Sequence, residues 1–572
     1  MQKNVENHPE FNLSGVLTMS KTGNLIQLIL CLFITLWAFP TTVFAVTPAQ
    51  INTELLKEVT NYPEELLGLP EWCNIQGTRQ EQWICTVYNN PGLHPLWVDT
   101  NGPTDQAKHI LSALQAVTPD GLNSGDYRVV QIEALWKSRT ARDLAKLDID
   151  ITIGLLEYIH DMQEGRFAPK YKDPKLFDQA GGNSVFDPVL AISKARRDND
   201  MAAFLSNLAP KHRHYLALKS ALKHYRSIAE KSGWPEFSAG ATLHPLGSDT
   251  RVPVLSQLLY ITGDLTKLSG SEQQIYTTEL VEAVKRFQER HSLKTDGIIG
   301  KETTRALSLP VARLIQQILI NMERWRWTEH KLGSKYVLVD IAGFTLQGVV
   351  NNVTQLEMRV IVGKLRHETP IFSDSIKYIE FNPFWNITPS IARNEMLSDL
   401  RDDNKYLTSK HIKLFSSWQA DAEELNPEMI NWDEVSRKEI SRFKLRQEPG
   451  PWNALGVVKF VFPNKYSIYL HDTPLPSLFE KTDRAFSHGC IRLSEPIQLA
   501  EFLLQSNDAK WTEKRILQVV ENKKRKVVSL HTPIPVHLVY QTAWVAKDGN
   551  LHFSKDLYGR DRKLMEALFE EE

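Results

Sequence analysis

The sequence has little cysteine and no excess of either charge. Its 572 residues include four cysteines, and 67 Lys and Arg against 68 Asp and Glu leave a net charge of −1. A near-neutral chain with one conspicuous basic run, Lys523–Lys526, does not indicate nucleic-acid binding. No His, Cys and Asp residues occur at zinc-ligand spacing, and Cys73 and Cys85 lack the close partner cysteine of such a site. We therefore expect no metal, no cofactor and no nucleic-acid partner.

Charge is also absent between Thr22 and Thr53, and Leu25 to Phe39 is almost continuously apolar. Lys21 precedes this run, and Val43-Phe44-Ala45 supplies small residues for cleavage before the mature chain, so we expect residues 1–45 to be a secretory signal. The alternative is an uncleaved inner-membrane anchor, because the uncharged stretch reaches the ~20 residues that a membrane span needs. Either reading places the bulk of the chain outside the cytoplasm.

Export would change both the number of cysteines in the mature chain and their redox environment. Cleavage would remove Cys31 and leave three, an odd number. In an oxidising compartment Cys73 and Cys85 could form a disulfide and leave Cys490 as a free thiol. The alternative is that Cys73 and Cys85 are buried and reduced.

Cys490 lies in the run Ser487–Arg492, which reads SHGCIR. A free thiol has a pKa of about 8.5, so a reactive one needs a nearby imidazole, cation or set of amides to favour the thiolate. His471 and His488 can both supply the imidazole, and spacing does not choose between them, because residues i and i+2 share a face of an extended segment. Arg492 supplies positive charge.

Gly489 allows the backbone to approach a carbonyl substrate closely. We expect its amide and that of Cys490 to bind a developing oxyanion. The chemistry that this pattern indicates is acyl transfer.

Periodicity divides the remaining chain into units. Helical segments with Pro and Gly punctuation extend to about residue 245, and Leu280, Ala283, Val284 and Phe287 form an apolar helical stripe in a second unit. From residue 333 the pattern has period two, which predicts strands. The expected units are a scaffold at 47–245, a small helical domain at 250–308, and a β domain at 333–560 with a charged, helical insertion at 390–448.

A hairpin is expected near the C-terminus, where two short apolar segments, 542–545 and 551–553, flank Asp548-Gly549. We expect it to close the sheet of the β domain.

Two motifs identify a family. Tyr469–Pro474, which reads YLHDTP, followed by Ser487–Leu493, which reads SHGCIRL, resembles the signature of the YkuD-type L,D-transpeptidases. The resemblance implies that Cys490 is the nucleophile, His471 the base and His488 a supporting residue. It also implies that the backbone carbonyl of Asp472 orients the His471 ring, and we expect the Asp472 side chain to shape the following turn.

Further segments extend the resemblance to the larger YcbB-like enzymes. They are Pro95–Asp99, Asp120–Tyr127, Val360–Lys364 and Phe381–Asn386, and the stretch 283–303 resembles a three-helix peptidoglycan-binding domain. The implied fold is α+β and multidomain: a mainly helical N-terminal scaffold, a small three-helix domain that binds peptidoglycan or is purely structural, and a mostly β catalytic domain with a helical lid.

The resemblance also suggests substrate contacts. We expect Asn382 and Trp385 to bind substrate. Arg492 is expected either to hold a substrate carboxylate or to pair with an acid such as Glu495.

The function that the resemblance implies is peptidoglycan crosslinking in the periplasm of a Gram-negative bacterium. Cys490 would attack the carbonyl of a diamino acid at the third position of a stem peptide, D-alanine would leave, and a second stem would accept the acyl group in a 3→3 crosslink. The same acyl-enzyme could pass to water, as in an L,D-carboxypeptidase or crosslink hydrolase, or to a lysine of a wall-anchored protein. A non-catalytic wall-binding scaffold is a further alternative. Carbapenems are expected to acylate the same thiol.

Overall fold

The structure is a computed structural model that describes residues 45–60, 79–88, 94–167, 187–197, 200–231, 234–268, 274–328 and 330–569. Cys73 of the expected disulfide and nearly all of the expected signal fall on parts of the chain outside these residues. Among the described helices, none combines the length and apolar character that crossing a membrane requires.

The N-terminal region is helical, as the sequence predicts, and is organised around one long central helix. Its helices are α1 (Pro48–Thr60), α2 (Arg79–Tyr88), α3 (Asp105–Gln115), α4 (Val129–Leu135), α5 (Ala141–Gln163), α6 (Pro188–Arg197), α7 (Met201–Ser206) and α8 (Arg213–Glu230). Thr140 caps the start of α5 by accepting the amide of Asp143 at 3.1 Å. Leu144, Leu147 and Ile151, at helical spacing along α5, are fully buried in the core of this region.

Two minor elements complete this region. They are a hairpin of β1 (Val98–Asp99) and β2 (Gly102–Pro103), and the 3₁₀ turns Thr118–Asp120 and Ser124–Tyr127.

The small domain that follows has three helices, α9 (Val252–Ile261), α10 (Thr278–Arg290) and α11 (Lys301–Leu307). The apolar stripe predicted from the sequence on α10 is buried, and it packs in one cluster with residues of α9 and with Leu307 of α11. A longer helix, α12 (Val311–Trp327), then leads toward the β domain.

The β domain contains, within the described residues, a nine-stranded sheet. Its strands are β3 (Lys335–Asp340), β4 (Thr345–Val350), β5 (Val353–Gly363), β6 (Phe372–Phe381), β11 (Val458–Val461), β12 (Leu470–His471), β13 (Ala485–Ser487), β14 (Ile491–Leu493) and β15 (Lys526–Val539). The order is β13-β5-β14-β12-β11-β6-β15-β3-β4, and an additional pairing of β4 with the long strand β5 closes the sheet on itself. Val337, Phe460 and Leu470 are fully buried in its core. The mostly β catalytic fold is therefore confirmed.

Helices cover this sheet and complete the chain. They are α16 (Pro496–Leu504), α17 (Glu513–Glu521) and the C-terminal α18 (Arg560–Phe569), with a 3₁₀ turn at Pro476–Glu480.

The insertion is not helical throughout, which corrects the expectation for 390–448. It contains a four-stranded antiparallel sheet in the order β7-β10-β8-β9. The strands are β7 (Trp385–Ile387), β8 (Ile412–Phe415), β9 (Glu424–Leu425) and β10 (Lys444–Gln447). The helices are α13 (Pro389–Ile391), α14 (Leu397–Asp402) and α15 (Tyr406–Ser409). The insertion also has a π turn at Ala392–Met396 and 3₁₀ turns at Pro427–Met429 and Ile440–Arg442. Buried and half-buried residues alternate along β8 and β10, a period-two pattern too short to stand out in a charged segment.

The predicted C-terminal hairpin forms, but it does not close the catalytic sheet. β16 (Ala543–Val545) pairs only with β17 (Leu551–Phe553), as a separate two-stranded sheet in the described structure. Side chains of α12 engage its base: Asn321 accepts the amide of Thr542 at 2.9 Å, and Gln317 donates to the carbonyls of Thr542 and Ser554. The hairpin therefore packs against the helices rather than against β15.

The small domain docks on this hairpin. Arg290 donates to the carbonyl of Leu551 at 2.8 Å, and Ser292 donates to the carbonyl of Phe553 at 3.2 Å. The His291 ring stacks on Phe553 with ring centroids 5.4 Å apart. These contacts hold the small domain against the catalytic domain.

Two buried histidines lie where the N-terminal region meets α12. The rings of His212 and His214 contact Trp325, with centroids 4.5 Å and 5.1 Å away. The pKa of each imidazole is lowered to about 3, chiefly by burial, and for His214 the charge of Arg213 contributes to this lowering. Within the described structure the Nε2 atom of His214 is buried without a hydrogen-bond partner.

We predict that acid destabilises the chain partly through His214. The unfolded imidazole binds a proton near pH 6.5 while the folded one does not, so stability falls as pH decreases from about 6.5 toward 3, by up to about 1.4 kcal/mol per pH unit for each such group. His214→Phe keeps a stacked ring without a titrating group, so its Tm should fall less between pH 7 and pH 5 than that of the native chain. His224→Gln, which removes an exposed imidazole, is the control. Equal falls in all three proteins would contradict the assignment.

Candidate active site

The register of two parallel strands builds the site. Leu470 of β12 pairs with Ile491 of β14, and His471 pairs with Arg492. Register partners share a face of a sheet, and successive residues of a strand alternate between faces. Leu470 and Ile491 therefore point together into the core, where both are fully buried. His471 and Arg492 point together to the opposite face.

The same register brings the cysteine to this face. Cys490 and Tyr469 each precede the paired segment by one residue, and the amide of Ile491 donates to the carbonyl of Tyr469 at 3.1 Å. Lys459 of β11 pairs with His471 from the other side. Cys490, His471, Arg492, Tyr469 and Lys459 thus form a polar cluster on one side of the sheet.

Burial of the Cys490 thiol raises its pKa, and three groups oppose this effect. The Tyr469 side chain hydrogen-bonds to the sulfur, while Lys459 and Arg492 act through their positive charge. The Lys459 Nζ lies 4.0 Å from the centre of the Tyr469 ring. The resting sulfur is consequently a protonated thiol at neutral pH.

The His471 imidazole has a fixed tautomer. Its Nδ1 hydrogen-bonds to the backbone carbonyl of Asp472. Because a carbonyl only accepts, Nδ1 carries the proton and Nε2 keeps its lone pair. Burial, together with the positive charge of Arg492, lowers the pKa of His471 to about 3. His471 is therefore a neutral proton acceptor.

The Asp472 side chain has a separate structural task. Its carboxylate accepts the amide of Val457 at 2.9 Å. Gly456 has a φ of 61°, and a Cβ at this position would collide with the same carboxylate. Asp472 thus contacts the imidazole through its backbone, as the family resemblance implies, while its carboxylate shapes the adjacent loop.

The loop before the cysteine is closed by Ser487. Its hydroxyl accepts the amide of Gly489 at 3.0 Å and donates to the carbonyl of Cys490 at 2.5 Å. The buried Thr369 donates to the carbonyl of Gly489 at 2.8 Å. Ser487 thus occupies the Gly489 amide that the sequence analysis expects to bind an oxyanion. The Cys490 amide is the remaining backbone candidate.

His488 turns toward the insertion. Its Nε2 contacts the carboxylate of Glu395 in the π turn and lies 3.2 Å from the Nζ of Lys364. The ring of His367 lies beside it, with centroids 5.0 Å apart. His471 thus shares the face of the sheet that carries Cys490, whereas His488 contacts the insertion.

The expected substrate-binding residues have different surroundings. Arg492 is half-buried, and its Nε has no hydrogen-bond partner within the described chain. Asn382 is buried, and its side-chain amide donates to the carbonyls of Val519 and Val520 in the last turn of α17 and to that of Lys524 beyond it. These contacts hold the backbone at the end of α17. Trp385 packs, half-buried, against the core of the insertion.

Sequence reasoning missed Tyr469 and Lys459. Tyr469 precedes His471 by two positions in an extended segment, so strand alternation would have placed it on the same face. Lys459 carries no local signal, because only the pairing of β11 with β12 brings it to the site.

An open cavity of about 710 Å³ lies beside β13. Its wall includes Phe486 of β13, Leu365 and Lys364 of the β5–β6 connection, and Ser292 of the small domain. A second cavity of about 350 Å³ continues along the small domain and shares Ser292 and Lys555 with the first. The two cavities form a groove between the small domain and the catalytic domain.

Comparisons with known proteins agree with this arrangement. Residues 334–528 match the family model of the L,D-transpeptidase catalytic domain named YkuD. Residues 248–307 match a model described as "Putative peptidoglycan binding domain", and residues 82–222 match a scaffold domain model.

One curated relative is a protein of Haemophilus influenzae described as "Putative L,D-transpeptidase". It is 30% identical over 278 residues, which are 48% of this chain and 55% of the relative. The chain thus spans about half the length of the curated relative it matches.

Solved structures give weaker similarity. An L,D-transpeptidase from Mycobacterium smegmatis is 15% identical with a TM-score of 0.18, over 36% of this chain and 58% of that one. An L,D-transpeptidase in complex with imipenem is 14% identical with the same TM-score, over 36% and 59%. The assignment of the domains therefore rests on the family models.

We predict that Tyr469 lowers the pKa of the Cys490 thiol. In Tyr469→Phe the thiolate loses a hydrogen-bond donor, which is typically a contribution of about 1.5–3 kcal/mol for a charged group, so the pKa should rise by about one unit or more. The measurement is the rate of iodoacetamide labelling of the Cys490 peptide against pH, followed by mass spectrometry. Tyr260→Phe, on an exposed tyrosine of the small domain, should leave the profile unchanged. An unshifted profile in Tyr469→Phe would remove Tyr469 from the site.

Proposed function

We propose that this chain, which carries a YkuD-type L,D-transpeptidase catalytic domain and a peptidoglycan-binding domain, is a peptidoglycan L,D-transpeptidase that acts through an acyl-enzyme on Cys490. One observation carries the proposal: parallel pairing of β12 and β14 puts the Cys490 thiol and a neutral His471, oriented by the Asp472 carbonyl, on the same face. A nucleophile beside an oriented proton acceptor is the arrangement that acyl transfer requires.

In the first half-reaction His471 accepts the thiol proton through Nε2 as the Cys490 sulfur attacks the carbonyl of the third stem residue. The Cys490 amide donates to the oxygen of the tetrahedral intermediate. An imidazole with a pKa of about 3 is a strong acid once protonated, so it readily returns the proton to the leaving amine of D-alanine. The half-buried guanidinium of Arg492 is the proposed donor to a substrate carboxylate.

In the second half-reaction the side-chain amine of a second stem attacks the thioester. His471 takes a proton from this amine and passes it to the Cys490 sulfur as the C–S bond breaks, which forms a 3→3 crosslink and restores the thiol and the neutral imidazole. Because this substrate lies outside the cytoplasm, an enzyme that acts on peptidoglycan works there. We propose the periplasm as the compartment and the expected 1–45 signal as the means of export.

We predict that the two proposed catalytic residues differ from His488 in their effect. Cys490→Ala should abolish formation of crosslinked product from purified disaccharide tetrapeptide, and His471→Ala should reduce its rate by about 10²–10⁴-fold, the usual contribution of a general base. His488→Ala should keep more activity, since its ring contacts the insertion. Mass spectrometry of the products distinguishes crosslinked dimer from tripeptide released by hydrolysis. Product at the native rate from folded Cys490→Ala would refute the mechanism, and release of tripeptide alone would identify a carboxypeptidase.

The insertion is positioned to control access. It enters through β7 and leaves through β10, which pair side by side at Ile387 and Leu445. Glu395 of the insertion contacts His488 of the cysteine loop. We propose that the insertion is a lid that orders the acceptor stem after the thioester has formed.

We predict separate effects on the two half-reactions when the lid is removed. Replacing residues 389–443 with Asn-Gly joins β7 to β10 through a two-residue hairpin turn, which their pairing allows. Carbapenem acylation of Cys490, measured by intact mass, should remain comparatively intact while crosslinking falls and thioester hydrolysis rises. A folded variant that crosslinks at the full rate would show that the insertion is no lid. Parallel loss of acylation and crosslinking would show that it shapes the donor pocket.

A further inference from the structure

Three potential metal ligands from distant parts of the sequence meet beside the cysteine loop. They are His367 in the β5–β6 connection, Glu395 in the π turn of the insertion, and His488. One ring nitrogen of each histidine and one carboxylate oxygen all lie within 4.8 Å of one another. The carboxylate of Glu395 already contacts Nε2 of His488. Sequence spacing could not reveal this cluster, because its members are separated by long segments.

The donor set suits a divalent transition metal. Two imidazoles and one carboxylate with an open fourth position are a ligand set that Zn²⁺ accepts, at metal–ligand distances of about 2.0–2.2 Å. Ligand atoms in such a tetrahedron are about 3.3 Å apart, so the widest spacing here must close by roughly 1.5 Å, within reach of side-chain rotation. Glu395 is half-exposed and free to make this movement.

Hydrogen bonds to other parts of the chain hold the backbone near two of the three ligands, His488 and His367. His488 is next to Gly489, whose carbonyl accepts from Thr369. The connection that carries His367 is held from the C-terminal end of the chain, where Arg560 donates to Glu368 at 2.8 Å and Tyr558 donates to the carbonyl of Gly363. A π turn such as the one that carries Glu395 is a rare element that is frequent at functional sites.

The Lys364 ammonium group would compete with a metal ion for His488. The Nζ of Lys364 lies 3.2 Å from Nε2 of His488, on the atom that a metal ion would use. An ion can bind only if this ammonium withdraws, since the two positive charges repel each other at such distances. Lys364 also lines the open groove, which offers its side chain space outside the cluster.

We propose that His367, Glu395 and His488 form a binding site for Zn²⁺ or a chemically similar divalent ion, which fastens the insertion to the cysteine loop and thereby inhibits turnover. The inhibitory consequence rests on the proposed function, whereas the metal site itself does not. A bound ion bridges Glu395 of the insertion and His488, two residues before Cys490. The bridge restricts opening of the insertion, so exchange of substrate and product slows while the thiol remains free.

The binding experiment uses Cys490→Ala, so that the sulfur is no ligand, prepared without a histidine tag and titrated with ZnCl₂ by calorimetry. We expect one Zn²⁺ per chain. His367→Gln and Glu395→Gln in this background should each weaken binding at least tenfold, because each removes one of three ligands. Lys364→Met should strengthen binding several-fold, since it removes the competing charge. His531→Gln, at an exposed histidine elsewhere on the surface, is the matched control.

Either of two results would overturn the site: no zinc bound by Cys490→Ala, or equal affinities in His367→Gln and His531→Gln. Opposite effects of His367→Gln and Lys364→Met support it, because general loss of structure would weaken both. Circular dichroism of each variant excludes unfolding as the cause.

The inhibition experiment uses the native cysteine. Zinc should lower the crosslinking rate with a midpoint near its dissociation constant, and His367→Gln should raise this midpoint at least tenfold while leaving the zinc-free rate unchanged. Equal inhibition of both proteins would mean that zinc acts on the thiol, and the clamp would be refuted. If no zinc-free turnover is found, the proposed function fails, and the calorimetry still decides the metal site.

Discussion

The pairing of two very short parallel strands is the constraint on which the site depends. Alternation has a period of two, so a slip of β12 against β14 by one residue would exchange the faces of their partners. Either His471 or Arg492 would then point into the core beside the aliphatic residue of the other strand. The hydrophobic core holds the register, because replacing one fully buried aliphatic side chain with an imidazole or a guanidinium would leave an unpaired polar group inside the sheet. Packing on one face thus fixes the chemistry on the other.

Burial favours the uncharged form of both proposed reacting groups, the Cys490 thiol and the His471 imidazole. It raises the pKa of the Cys490 thiol and lowers that of His471, so both are neutral before substrate arrives. In the proposed reaction, charge then appears only when the proton moves from sulfur to imidazole. Tyr469, Lys459 and Arg492 surround the sulfur and stabilise the negative charge at that stage, although Arg492 disfavours the imidazolium. The site therefore favours a developing thiolate over a preformed ion pair.

The sequence predicted what local patterns encode. Helical spacing gave the buried stripe of α10, period-two alternation gave the β domain, and the paired motifs placed Cys490 near His471. Long-range contacts were outside its reach: Lys459 joins the cluster through strand pairing, and His367 and Glu395 meet His488 through the path of the insertion. The error at the C-terminus has the same origin, because the hairpin forms its hydrogen bonds with α12 and does not pair with the sheet.

The docking of the small domain has a consequence for how a polymeric substrate meets the thiol. Arg290 and Ser292 bond directly to the backbone of the β16–β17 hairpin, so no flexible tether separates the domain from the catalytic sheet. With a flexible tether, a glycan strand bound to the small domain would occupy many positions, so its effective concentration at the thiol would be low. A fixed domain holds the strand at one distance and one orientation from the thiol, which keeps the effective concentration of the stems at that distance high. The spacing between stems along a strand would then decide which of them reaches Cys490. Stem peptides would therefore be selected by their distance from the point where the small domain holds the strand.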